Sequence, residues 1–165
     1  MTQKPQKSKK KSETGELVVA QNRSASYHYM ILEKFEAGMV LRGTEVKAIR
    51  AGKANIREAY ALVRGGELWL ENCHIAEYSA GGVWNHSPLS TRKLLMHKEE
   101  IRKLFGKTQQ KGLTLIALRL YLRGGRVKIE LALARGKKDW DRRDQERNKE
   151  AEREAKQAIY NSRRR

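Results

Sequence analysis

The chain has 165 residues, the length of one ordinary domain with tails, and carries 36 Lys and Arg against 19 Asp and Glu, a formal charge of +17. That excess concentrates polyanions, so nucleic acid or an anionic membrane face is the default partner, and an ordinary enzyme of small metabolites is disfavoured. One cysteine, Cys73, excludes a disulfide framework and any all-cysteine metal site, and fits a reducing, cytoplasmic setting.

Along the chain, residues 1–15 hold five lysines and one glutamate, a net charge of +4, with nothing to bury. They are expected to form a disordered basic arm, and no apolar stretch suggests a secretory signal. Residues 16–135 carry a net charge of +9 and nearly all the β-branched, aromatic and leucine residues, so they are the predicted folded unit. Residues 29–35 are strand-prone, and Gly38 and Gly43 permit a bulge or bend. Thr44 is placed to cap a short helix with Val46 and Ile49 that ends at Gly52. Residues 59–63 and 67–70 flank Arg64-Gly65-Gly66, which reads as a hairpin. Leu94, Ile101, Leu104 and Phe105 suit a second helix that stops at Gly106. Residues 113–122 and 126–134 flank Arg123-Gly124-Gly125 as a second hairpin. Within it Val127, Ile129, Leu131 and Leu133 alternate with Arg126, Lys128, Glu130 and Ala132, while the partner run is apolar on both sides near its middle. That run is short and broken by Arg119, so no segment spans a bilayer. Six or seven strands with two helices predict a mainly β fold, a small closed barrel of the oligonucleotide-binding (OB) type.

Residues 136–165 hold eleven basic and seven acidic side chains, good helix formers without an apolar stripe that could dock on a core. Glu152 with Lys156, and Asp139 with Arg143, are spaced one helical turn apart. The segment reads as a tail that is disordered when free and helical on a surface.

Sites for chemistry are missing. Gly106-Lys107-Thr108 ends like a phosphate-binding loop, but Ile101 stands where its first glycine belongs. Cys73-His74, His86 and His97 match no zinc spacing, and Cys73 reads as a buried thiol in a strand beside an outward histidine. Glu99-Glu100 suit the first turn of a helix, where acids complement the dipole. No nucleophile–base or paired-carboxylate arrangement argues for an enzyme, and no cofactor or metal is implied.

The positive finding is a set of basic patches among apolar residues. Lys47, Arg50, Lys53 and Asn55 lie on or just past the first helix, and Thr91-Arg92-Lys93 precedes Leu94-Leu95. Gly136-Lys137-Lys138-Asp139-Trp140-Asp141-Arg142-Arg143 joins barrel to tail. Together, in so basic a chain, they point to nucleic acid. Trp140 is either a plug folded onto the barrel or a platform on which a base stacks.

Four blocks in order resemble the SmpB (SsrA-binding protein) family: Phe35-Glu36-Ala37-Gly38 leading to Gly43-Thr44-Glu45-Val46-Lys47; Arg50-Ala51-Gly52-Lys53-Ala54-Asn55; Thr91-Arg92-Lys93-Leu94-Leu95; and Ala134-Arg135-Gly136-Lys137-Lys138 with Asp141-Arg142-Arg143. The resemblance implies an OB-type barrel without enzymatic activity that binds the tRNA-like domain of transfer-messenger RNA. It also implies that the complex of protein and RNA enters stalled ribosomes for trans-translation, the C-terminal tail in the empty mRNA path; the protein itself is expected to be a monomer. Asn22, Arg23, Glu36, Lys47, Arg50, Lys53, Asn55, Arg92 and Lys93 are then the expected contacts to transfer-messenger RNA. Gly136, Lys137, Lys138, Trp140, Asp141, Arg142 and Arg143 are the expected contacts to small-subunit ribosomal RNA. Ser24, Ser26 and Ser90 depart from the family in standing where cations are usual. Without the resemblance, the same residues also fit a general RNA-binding barrel in ribosome assembly or translation initiation.

Overall fold

The computed structural model describes residues 15–162. The predicted basic arm, except Gly15, therefore lies outside the described residues. Nine strands and four helices follow in the order β1 (Leu17–Gln21), α1 (Ala25–His28), β2 (Tyr29–Met39), α2 (Gly43–Arg50), β3 (Ala54–Asn55), β4 (Tyr60–Arg64), β5 (Glu67–Glu71), β6 (His74–Ile75), β7 (Arg92–Leu95), α3 (Lys98–Thr108), β8 (Leu113–Arg123), β9 (Arg126–Gly136) and α4 (Asp139–Ser162).

Both glycine hairpins form. Gly65 and Gly66 (φ 61° and 73°) and Gly124 and Gly125 (φ 55° and 75°) take the left-handed conformation at both turn positions. A two-residue turn needs this to match the strand twist, and side chains there would be strained. The antiparallel pairings run β8-β4-β5-β7-β2-β9 and return to β8, with β1 added beside β4 along the same edge of β8. The barrel is thinnest at β4–β8 and β2–β7, with two register pairs each. At the second seam Gly38 forms no bulge. A Cβ on it would lie 3.3 Å from Leu95 Cβ, so glycine lets the two backbones approach. The irregularity in β2 falls instead between Ile31 and Glu33.

The inward residues of β9, Val127, Ile129, Leu131 and Leu133, meet Leu115, Ala117 and Leu120 of β8 and Leu68 and Leu70 of β5 in one core. Helix α2 covers it with Ala48 and Ile49, and α3 with Ile101 and Leu104. Each of the buried leucines and isoleucines contributes about 1.5–3 kcal/mol by burial, the alanines less. The two-sided apolarity of β8 has its reason in a second, smaller cluster. There Ile116 and Leu118 join Ala132 and Ala134 under Ala25 of α1, a helix that sequence reading missed.

Several local expectations are corrected. Arg42, not Thr44, is the N-cap of α2, and its backbone N–H donates to the Glu45 carboxylate at 2.7 Å. Leu94 belongs to β7, and α3 passes Gly106 to end at Thr108. Cys73 is buried in the β5–β6 connection rather than in a strand, and burial pushes its thiol up to about 11. Asp139 pairs with Arg142 at 3.6 Å rather than with Arg143, whereas Glu152 meets Lys156 at 2.6 Å. The tail from Asp139 is one 24-residue helix that buries none of its residues. It is helical without a core because its composition favours the helix and its first turns are tied to the barrel.

Candidate nucleic-acid interface

Of the predicted residues, Glu36 and Arg50 lie toward the turn end of the β8–β9 hairpin and Gly136 to Arg143 at its other end, the strands of 11 residues each making it about 35 Å long. At the turn end, Glu36 on β2 faces Glu130 of β9 in register. The Tyr121 hydroxyl donates to its carboxylate, Arg123 Nη1 approaches to 3.0 Å and Lys128 Nζ to 3.5 Å. The Tyr121 bond first, then the Lys128 and Arg123 charges, hold the carboxyl below its ordinary value against the opposing effect of partial burial. Burial first and then the carboxylate push Tyr121 upward, so the phenol stays a donor. The acid thus fixes two cations in place and, with about four lone-pair positions, still has room to accept from a base edge or 2′-hydroxyl.

Because the folded value is depressed, the Glu36 contribution to stability is present above the ordinary carboxylate value and is lost as pH falls through the folded value. Glu36→Gln is expected to flatten the acid side of the melting temperature against pH. An unchanged acid limb would show that these bonds carry no net stability.

Lys47 and Arg50 share the exposed face of α2, opposite buried Ala48 and Ile49. Lys47 Nζ stands 5.3 Å from the centre of the Tyr78 ring, and Arg50 Nη2 donates to the Gly125 carbonyl at 3.4 Å. Lys53 follows the left-handed Gly52 (φ 78°) and is exposed, as is Asn55, whose Oδ1 accepts from the Arg57 N–H at 2.9 Å. Lys93 is half-buried and paired with Glu67.

Arg92 does not join this surface. It is 3% exposed, and its Nε donates to Glu45 at 2.7 Å. Nη1 donates to the carbonyls of Cys73 (2.6 Å) and Ser90 (2.8 Å), and Nη2 to those of Pro88 (3.1 Å) and Ser87 (3.4 Å). The guanidinium fork ties the β6–β7 loop to α2, because a buried charge needs a partner and full hydrogen bonding. Its expected role at an RNA phosphate is therefore replaced by an internal one. Asn22 is likewise mostly internal, donating to the carbonyls of Arg57 (3.1 Å) and Ala117 (3.2 Å). Its neighbour Arg23 is exposed.

At the other end β9 finishes at Gly136, opposite Tyr29. The Lys137 N–H donates to His28 at 2.9 Å and its Nζ to the Ser26 carbonyl at 2.7 Å. Arg142 Nη2 returns to the Lys137 carbonyl at 3.1 Å, the Asp141 carboxylate accepts from the Lys138 N–H at 3.3 Å, and Tyr27 donates to Glu146 at 2.5 Å. Lys138 and Arg143 are exposed, and Trp140 is 63% exposed, so it is not a plug in the core. Asn22, His28, Tyr29, Arg57 and Arg142 help to line a cavity of about 700 Å³ at this junction.

Of the serines that replace expected cations, Ser24 donates to the Asn22 side chain at 3.0 Å and Ser90 to the Ser87 carbonyl at 2.9 Å. Sequence reading missed Tyr121, Arg123 and Lys128 as partners of Glu36. The outward alternation of β9 marked Lys128 as exposed, but only strand register brings it to the acid. Among the described residues no group of His, Cys, Asp and Glu could hold a metal ion, and no helix is long and apolar enough to cross a membrane.

Known proteins resemble this chain over most of its length. The family model described as SmpB protein matches residues 19–161. The SsrA-binding protein of Desulforudis audaxviator is 57% identical over 144 residues, covering 87% of this chain and 94% of its own. That of Koribacter versatilis is 55% identical over 150 residues, covering 91% and 86%. A chain of the solved structure "tmRNA-SmpB: a journey to the center of the bacterial ribosome" is 51% identical, with a TM-score of 0.62, over 72% of this chain and 84% of that one. A barrel with a basic end, an anchored acidic side chain and a projecting helix thus occurs on a sequence that matches this family over most of its length: the chain belongs to the SmpB family.

Proposed function

We propose that the protein binds the tRNA-like domain of transfer-messenger RNA through residues 16–135 and carries it, in the cytoplasm, to stalled ribosomes for trans-translation. Residues 136–165 are the ribosome-facing tail, and residues 1–15 a basic arm. The observation that carries this is the two-part build: a packed barrel with exposed cations at one end, and at the other a 24-residue helix with no buried residue. Such a helix is about 36 Å long, suited to lie along an RNA-walled path where its charges find phosphates. Glu36, Lys47, Arg50, Lys53, Asn55 and Lys93, with Arg23 beside them in the assignment, contact the transfer-messenger RNA. Arg92 and Asn22 support the loops that carry such contacts. Lys137, Lys138, Trp140, Asp141, Arg142 and Arg143, hinged at Gly136, face ribosomal RNA. The role is binding and delivery rather than catalysis.

Affinity of the full chain for the tRNA-like domain should fall steeply with salt. With about six phosphates neutralised, log K against log salt has a slope of roughly −4 to −5. A flat response in a filter-binding titration would overturn the assignment. Sequencing the RNA that co-purifies from cells separates this reading from a general ribosome-assembly or initiation factor: transfer-messenger RNA dominates in the first case and other RNAs in the second.

A further inference from the structure

The two most exposed large apolar side chains among the described residues are neighbours at the tip of the loop between β6 and β7: Val83 at 94% and Trp84 at 85%. The tip is built firmly. Asn85 clamps its base, accepting from the Tyr78 N–H at 3.0 Å and donating to the Tyr78 carbonyl at 2.8 Å. A Cβ on Gly81 would sit 2.8 Å from Asn85 Nδ2, so glycine there makes room for the clamp. Gly82–Trp84 form a single 3₁₀ turn, and two residues on, buried His86 anchors the chain by donating from Nε2 to the Ile75 carbonyl (3.0 Å). Its Nδ1 then accepts from the Thr44 hydroxyl at 2.9 Å. A fixed loop that holds an indole out in solvent leaves the ring face open to a partner.

The cations nearby indicate which partner. Lys47 lies over the Tyr78 ring, and the Ala76 N–H donates to the Lys53 carbonyl at 3.0 Å, so the loop is tied to α2, which carries exposed Lys47, and to the α2–β3 connection, which carries exposed Lys53. An open aromatic face on a fixed loop rooted against the Lys47 ammonium group, with exposed Lys53 joined to the loop base through its carbonyl, suits a base and its phosphates. We propose that Trp84, with Val83 beside it, is a stacking platform for an unpaired base of the tRNA-like domain of transfer-messenger RNA, Lys47 and Lys53 holding the adjoining phosphates. This rests on the function proposed above. Transfer-messenger RNA is the source, rather than ribosomal RNA, because the loop is fastened to α2 and the α2–β3 connection, whereas the tail leaves from Gly136 beside His28 and Tyr29.

The test titrates purified tRNA-like domain RNA against the full-length wild type, Trp84→Ala and Trp84→Phe at several salt concentrations. Trp84→Ala should bind about 5- to 100-fold more weakly, and Trp84→Phe should recover most of the loss. The salt slope of Trp84→Ala should equal that of the wild type, since no charge is removed, whereas Lys47→Ala should reduce it by about 1. The melting temperature should not move, because the ring is 85% exposed. Wild-type affinity in Trp84→Ala overturns the inference. If that variant then fails only when the RNA complex is bound to ribosomes, the platform serves ribosomal RNA, and if only protein partners are lost, it is a protein contact. A wild type that does not bind the RNA at all is a different failure, that of the proposed function itself.

Discussion

Arg92→Ala is expected to destabilise the barrel by about 3–5 kcal/mol, read as a drop in the denaturant midpoint, because it leaves the Glu45 carboxylate buried without its partner. The side chains of this pair are 2% and 5% exposed, so water does not replace the lost bond. Four carbonyls, those of Cys73, Ser87, Pro88 and Ser90, lose their donor at the same time. Arg92→Lys recovers only part of the loss, because an ammonium group cannot reproduce the planar fork. Replacing both charges, Arg92→Met with Glu45→Met, should cost less than the sum of the single changes, since no buried charge is left alone. It still costs something, because the carbonyls stay unpaired. RNA binding by Arg92→Ala should follow the folded fraction and be near normal where the variant is folded. Full stability with lost RNA affinity would return Arg92 to the RNA surface.

Trp140→Ala should separate the two halves of the protein. The first turn of α4 is fastened by Lys137 and Arg142, and Trp140 has 63% of its surface exposed. Removing the ring therefore leaves the melting temperature and the affinity for transfer-messenger RNA near those of the wild type. Tagging of nascent chains on stalled ribosomes should fall sharply, by the factor that corresponds to about 1–3 kcal/mol of lost base stacking. Trp140→Tyr keeps a ring face and most of the activity. Truncation after Gly136 removes the whole charged helix and should abolish tagging while the barrel still binds its RNA, since α4 contributes no buried residue. Equal losses in tagging and in affinity for the isolated RNA would show that tail and barrel act as one surface.

By itself the sequence determined what depends on local pattern. Two Gly-Gly turns between apolar runs specified both hairpins, because few other residues adopt that backbone in a two-residue turn. The alternation along residues 126–131 specified which face is wet, and charge with composition specified a nucleic-acid partner and a helix-prone tail. Tertiary structure alone decided what depends on residues distant in the chain. Arg92 looked like the surface cation beside it, and only the packing of the β6–β7 loop against α2 turned it inward to Glu45, 47 positions away. Glu36 acquired Tyr121, Arg123 and Lys128 through strand register, a pairing that spans 85 or more positions for Tyr121 and Arg123. The small helix α1 buries only Ala25, so it has no apolar period to announce it and is held by the outer face of β8 and β9. Local propensity acts over a turn or a strand, whereas the burial of a charge is settled by whichever partner the folded barrel brings within reach.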